Sequence, residues 1–230
     1  LLLDARIDID KKSNILEEKF KLPMRDVNIN EEGNEQGVIV TADNNEFYQK
    51  LISIYNQPEA KQNMNFVKTI AYTNHAVEAL NKYIKSRINP HEEVISEGDY
   101  LLGYDTVMDN SDKIIVQNST DYYIHNLYYT EEKIMSKMYR FFNVVVNPAG
   151  KTIKILHPDS YADFHEIIQV FYSNAITNRA WRPYYKYLKN FVLLKDFFHE
   201  TMVDKYGRPE KVAKKNIDLG YAITTHKSWC

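Results

Sequence analysis

Two threonines, a histidine, a lysine and a serine stand in a row at 224–228, inside the stretch LGYAITTHKSWC (219–230). Hydroxyls, an imidazole and an ammonium side by side suit the holding of phosphate oxygens, because each donates a hydrogen bond and the lysine adds charge. Leu219, Tyr221, Ala222 and Ile223 just before them read as a short buried strand. In open α/β sheets ligands bind beyond the carboxyl ends of the strands, which is where this cluster falls. A second polar turn, Thr73 and Asn74, follows an apolar strand at 66–72 and opens a helix bearing Val77, Leu80, Ile84 and Ile88. Two readings of that turn stand side by side. It contacts phosphate, or it is a helix N-cap, a position where Thr and Asn are favoured.

Other chemistry is excluded by residue type and spacing. The histidines at 75, 91, 125, 157, 165 and 199 show no metal-ligand spacing. The single cysteine, Cys230, makes neither an internal disulfide nor a zinc site, so a reducing compartment is expected. No run of about eighteen apolar residues occurs. The three opening leucines are stopped by Asp4 and Arg6, too early for a signal peptide, so the protein is expected to be soluble and intracellular with no membrane partner.

With 44% hydrophobic and 26% charged residues, the 230-residue chain has enough apolar material for one large core or two small ones. The formal net charge of -2 means that any nucleic-acid binding rests on local patches. Such a patch exists. From 179 to 218 ten Lys or Arg (179, 182, 186, 189, 195, 205, 208, 211, 214, 215) face five acids (196, 200, 204, 210, 218), whereas residues 1–60 carry twelve acids and seven bases. The stretch RAWRPYYKYLKNF within it is also aromatic. It reads either as a helix with an apolar face and solvated cations, or as stacking faces beside phosphate-binding charges.

The elements that must position these residues follow from periodicity. NILEEKFKLPMRDV is a helix candidate interrupted by Pro23, GVIVTA a short strand, and DNNEFYQKLISIYN a helix with Phe47, Leu51, Ile54 and Tyr55 on one face and Asp43 as N-cap. The strand at 66–72, its polar turn and the following helix form an α/β unit. Between about Pro90 and Ser160 short alternating segments with turn signals read as a small antiparallel sheet or barrel. Helices are expected over about 160–177 and 180–204, before Gly207-Arg208-Pro209 breaks the pattern and a last strand resumes the α/β style. A β-rich unit inserted into an α/β domain accounts for this order, the last strand pairing with 66–72 rather than with 100–117.

Several stretches together resemble the C-terminal half of superfamily 1 DNA helicases of the RecD-like and Dda-like branch. IAYTNHAVEALN (70–81) is similar to that family's strand-turn-helix motif, GYDTV followed by IVQNSTDY looks like its inserted β-barrel, and GYAITTHKS (220–228) looks like the start of its motif V. The likeness runs over roughly residues 60–228. It is weaker in LLLDARIDIDKKSNILEE, the region of motif IV, where Asn14-Ile15-Leu16 lacks the family's proline. The resemblance implies a RecA-like parallel-sheet domain over 1–92 and 205–230, interrupted by a β-barrel-like and helical insertion over 93–204.

The resemblance also implies a function. The intact protein would be an ATP-dependent helicase, of 5'-3' polarity, moving on single-stranded DNA and using ATP and Mg2+. Thr73, Asn74, Thr224, Thr225, His226 and Lys227 would lie on the DNA track, with Lys227 as charge partner. Arg6 would be the arginine finger reaching the γ-phosphate; its other reading is a surface arginine beside Asp4 and Asp8. His226 would donate to a phosphate or to the motif backbone rather than act as a general base.

The departures limit what this chain does alone. Family members continue with Gln-Gly where Trp229-Cys230 stand here, and no G-x-x-x-x-G-K-[ST] occurs. The chain is therefore expected to be one part of the machine, needing an N-terminal RecA-like partner domain that holds ATP, and to hydrolyse none by itself. A non-catalytic nucleic-acid-binding remnant is the alternative. An unrelated phosphate-handling α/β enzyme with its site at 224–228 is a further class, which leaves the likenesses at 70–81 and 98–121 unexplained.

Overall fold

A computed structural model describes residues 24–29, 35–41, 43–63, 66–91, 93–109, 111–147 and 150–225. The chain is a mixed α/β protein that divides into two compact units, Leu1–Tyr55 and Asn56–Cys230. In the first unit β1 (Met24–Ile29) and β2 (Glu35–Val40) pair antiparallel, Met24 opposite Val40 and Ile29 opposite Glu35. The expected helix over 14–27 is thus a strand from Met24 onward; residues 14–23 lie outside the described residues. Pro23 disfavours helix before it and lacks the N–H that continuation would need, and alternating Val27 and Ile29 fit a pleated strand. Helix α1 (Asn44–Tyr55) forms as expected, with Asp43 Oδ1 accepting from the Asn45 amide at 2.8 Å and with Leu51 and Tyr55 buried.

The second unit starts with the short helix α2 (Pro58–Gln62) and contains a strand-helix pair, β3 (Thr69–Ala71) and α3 (Asn74–Ile88). There follow β4 (Tyr100–Gly103), the small hairpin β5 (Val107–Met108) and β6 (Ile114–Val116), and the long hairpin β7 (Asp121–Ile134) and β8 (Lys137–Asn147) with β9 (Lys151–Leu156) beside it. A 3-10 turn at Pro158–Ser160 leads into α4 (Tyr161–Asn178), then α5 (Trp181–Leu188). The chain continues through β10 (Phe197–Val203), β11 (Pro209–Ala213), β12 (Ile217–Leu219) and β13 (Ala222–Thr224).

Among the described residues the largest sheet is antiparallel and five-stranded in the order β12-β4-β7-β8-β9. One core cluster joins this sheet to the helices: Tyr139, Phe141 and Leu156 pack with Phe164, Ile168 and Tyr172 of α4, Tyr184 and Tyr187 of α5, and Phe191, Leu193 and Phe197 beyond them. The Tyr139 and Tyr187 hydroxyls meet at 2.6 Å, so the aromatic interior keeps its polar tips paired.

Two expectations change here. The second long helix stops at Leu188, and 197–203 is a strand paired with β11. The Gly207-Arg208-Pro209 break is a hairpin turn in which Gly207 has φ 75° and the Asp204 carboxylate accepts from the Tyr206 and Arg208 amides. Residues 205–219, grouped in the sequence with the α/β part, form β11 and β12, and β12 pairs with β4. Among the described residues of this last segment only β13 returns to β3, in parallel, with Ala222 opposite Thr69 and Thr224 opposite Ala71. That pairing is the one expected from the sequence. Among the described residues no helix is long and apolar enough to cross a membrane.

Candidate nucleic-acid interface

The crossing from one sheet to the other is made at Gly220. Its amide donates to Tyr100 O at 2.8 Å, and a Cβ there would stand 2.9 Å from the Leu101 carbonyl carbon, so only glycine lets β12 turn away over β4. Tyr221 then starts the return to β3, its carbonyl accepting from the Thr69 amide at 3.1 Å. Lys68 braces the same bend by donating to Gly220 O at 3.0 Å and to Asp121 Oδ1 at 2.6 Å.

Asn81 of α3 holds the short strand in place. Its Nδ2 donates to Leu219 O at 2.9 Å and to Ala222 O at 3.3 Å, while its Oδ1 accepts from Ala222 N at 2.7 Å. It does so while buried, and these bonds replace the ladder that a three-residue strand is too short to supply. One turn along α3, buried Lys85 donates to Asp99 Oδ2 at 2.5 Å, and Asp99 also accepts from Tyr221 OH at 2.8 Å. Burial first, then the Asp99 carboxylate beside it, pushes the Tyr221 hydroxyl far above the ordinary tyrosine range, so it stays a proton donor.

This frame brings two of the sequence-predicted clusters to one edge. Because β3 and β13 are parallel and in register at Ala71 and Thr224, residues 72–74 and 225 leave the carboxyl ends of adjacent strands together. Thr73 is the N-cap of α3, its Oγ1 accepting from the Ala76 amide at 3.2 Å, so the capping reading of this turn describes its hydroxyl. Asn74 is exposed in the first turn, where the helix dipole favours an anion, and Tyr72 beside it is 84% exposed. Thr224 and Thr225 are half-buried. Arg6, His226 and Lys227 lie outside the described residues.

Sequence reasoning passed over the residues that position this edge. Asn81 and Lys85 share the buried face of α3 with Val77 and Ile84. A polar side chain four residues after Val77 and a cation four residues later interrupt an apolar stripe, and that interruption was the available signal. The aromatic-basic stretch divides. Tyr184, Tyr187 and Phe191 belong to the core, as the apolar-face reading has it, whereas Trp181 and Tyr185 of α5 remain at the surface.

The sequence has no P-loop, and the described residues contain no group of three His, Cys, Asp or Glu placed to hold a metal ion. Comparisons with protein-family models and with curated proteins return no match for this chain.

Proposed function

We propose that this chain is part of a superfamily 1 DNA helicase and that its work is to hold the backbone of single-stranded DNA. On this reading β3, α3 and β13 belong to a RecA-like domain, and the β-rich part between them is its insertion. The observation that carries the proposal is the parallel register of β3 and β13, which puts Thr73-Asn74 and Thr224-Thr225 at neighbouring strand ends. Hydroxyls, an amide and helix N–H groups there grip phosphates without reading bases, and Lys227 supplies the charge. Hydrolysis belongs to a partner domain. The chain alone binds DNA without turning over ATP, which is how a non-catalytic remnant would also behave.

The test is a fluorescence-anisotropy titration of labelled single strands of several sequences at three salt concentrations. Weak, sequence-tolerant binding is expected. Lys227→Ala reduces the slope of log K against log salt by roughly 0.7, the value of one phosphate neutralised on a single strand. Asn74→Ala with Thr225→Ala weakens all sequences alike by about fivefold per contact, from about 1 kcal/mol each. Unchanged affinity and slope in folded variants would remove these residues from any DNA track.

A further inference from the structure

The surface of α5 has a feature that the strand-end site does not use. Its inward side is fixed by Tyr184 and Tyr187 in the core, so Trp181 and Tyr185, four residues apart, form one stripe at the surface and Arg182 and Lys186 form the next. Trp181 is 38% exposed and Tyr185 56%, with ring centroids 6.0 Å apart and planes inclined by 29°. Trp181 is also held from behind, its ring meeting Tyr172 at 6.0 Å and Tyr184 at 5.9 Å in edge-on contacts. The indole is thus preorganised, and little side-chain entropy remains to be lost when a flat ligand lies against it.

The charge beside this stripe is of one sign. Arg179, Arg182, Lys186 and Lys189 are exposed, make no ion pair among the described residues, and no acidic residue occurs between 179 and 189. Three other cations of this unit sit beside carboxylates, Lys211 by Asp196, Arg208 by Asp204 and Lys137 by Asp163; what sets 179–189 apart is four cations in eleven residues with no acid among them. An unmatched row of cations along one side of an aromatic pair is complementary to a ligand with flat rings on one edge and anions at regular intervals on the other. The outward face of α5 has no large aliphatic residue to enter a lipid interior.

We propose that α5 is a base-stacking site for single-stranded nucleic acid, in which one or two bases lie on Trp181 and Tyr185 while Arg182 and Lys186 take the adjoining phosphates. The site is independent of the strand-end cluster and extends the proposed function to a second point of contact. Stacking makes it sequence-tolerant, since every base has a π-face, and the cations make it salt-sensitive.

The experiment uses Trp181 as its own reporter. The full chain has two tryptophans, so Trp229→Phe leaves Trp181 as the only indole. This protein is titrated with 15-mers of dT and of rU, with an abasic deoxyribose-phosphate 15-mer, and with vesicles of 30% phosphatidylserine in phosphatidylcholine, each at two salt concentrations. Saturable quenching by dT and rU is expected, with little quenching by the abasic chain or the vesicles. Relative strengths of dT and rU tell whether the sugar matters. Arg182→Ser with Lys186→Ser lowers the salt slope by roughly 1.4, two single-strand phosphates.

Trp181→Ala, read by anisotropy, weakens dT binding about 5- to 150-fold, the range for losing one base-aromatic stack. Tyr185→Ser, at the more exposed ring, gives a loss in the same direction without opening the core. Equal quenching by the abasic chain, quenching by vesicles alone, or unchanged affinity in Tyr185→Ser overturns the proposal. Asn74→Ala with Thr225→Ala leaves the Trp181 quenching amplitude intact, so failure of the strand-end site and failure of this one are read separately.

Discussion

Replacing Lys85 by methionine isolates the joint between the α/β pair and the antiparallel sheet. Asp99 is fully buried, and Lys85 is the cation beside it. Asp99 Oδ2 accepts from Lys85 Nζ at 2.5 Å and from the Ser96 amide at 2.7 Å, and Oδ1 accepts from Asn89 Nδ2 and Tyr221 OH, both at 2.8 Å. Methionine keeps most of the aliphatic stem, so the change removes charge with little loss of volume. The carboxylate would retain donors from Ser96, Asn89 and Tyr221 but no counter-charge. Breaking a buried pair on one side costs about 3–5 kcal/mol, and the remaining donors place Lys85→Met at about 3. Asp99→Leu should cost more, because it leaves an ammonium, an amide, a carboxamide and a phenol without their shared acceptor. The double variant should cost less than the sum of the two by about 0.5–3 kcal/mol. Urea unfolding followed by near-UV circular dichroism gives these values by linear extrapolation. A loss below about 1 kcal/mol for Lys85→Met, or additivity within about 0.5 kcal/mol, would refute the joint.

Two further outcomes follow from neighbouring groups. Asn81→Ala leaves the Ala222 amide and two carbonyls without their side-chain partner; it should cost at least about 2 kcal/mol, at about 1–3 per unsatisfied buried group, and should raise hydrogen exchange at residues 222–224 while that of β7 and β8 is unchanged. His157 is buried against Phe142 and Tyr129, and its charged form is disfavoured first by burial and also by Arg140, against the opposing pull of Asp159 and Glu93. A histidine whose folded pKa is lowered gives stability that is fully present above its ordinary value of about 6.5 and is lost as pH falls from there towards the folded value. His157→Asn should therefore flatten the fall in unfolding free energy between about pH 6.5 and 5; an unaltered slope would place that proton uptake elsewhere.

Legibility in the sequence followed the range over which each signal acts. α1 and its Asp43 cap, β2, α3 with its Thr73 cap, and α4 were readable because capping chemistry and helical spacing are local. The pairing of β13 with β3 was readable as well, through the order of the segments. β10 was not, since Phe197–Val203 continues a run that also fits helical spacing, and its strand conformation depends on β11 beyond the Asp204-Gly207 turn. Nor was the path of 209–219 along β10 and β4, which is fixed by burial of Val212, Ala213, Ile217 and Leu219.

The candidate site divides along the same line. Thr73, Asn74, Thr224 and Thr225 could be named from type and position, whereas the residues that hold them at one edge act across long separations. Asn81 reaches Leu219 and Ala222, and Asp99 reaches Tyr221, 122 positions away. No local pattern carries such a bond. What does carry over is the anomaly that it leaves behind: Asn81 and Lys85 interrupt the apolar face of α3, and a buried polar group stays in a fold only where it is paired. The same reasoning separates the two halves of the aromatic-basic stretch. Tyr184 and Tyr187 have their hydroxyls bonded to Val212 O and Tyr139 and are structural, while Trp181 and Tyr185 are exposed on the same helix as Arg182 and Lys186. Burial of the first pair is what fixes the second pair and the cation row in register with each other, so on α5 the core reading and the binding reading of one segment are two faces of the same helix.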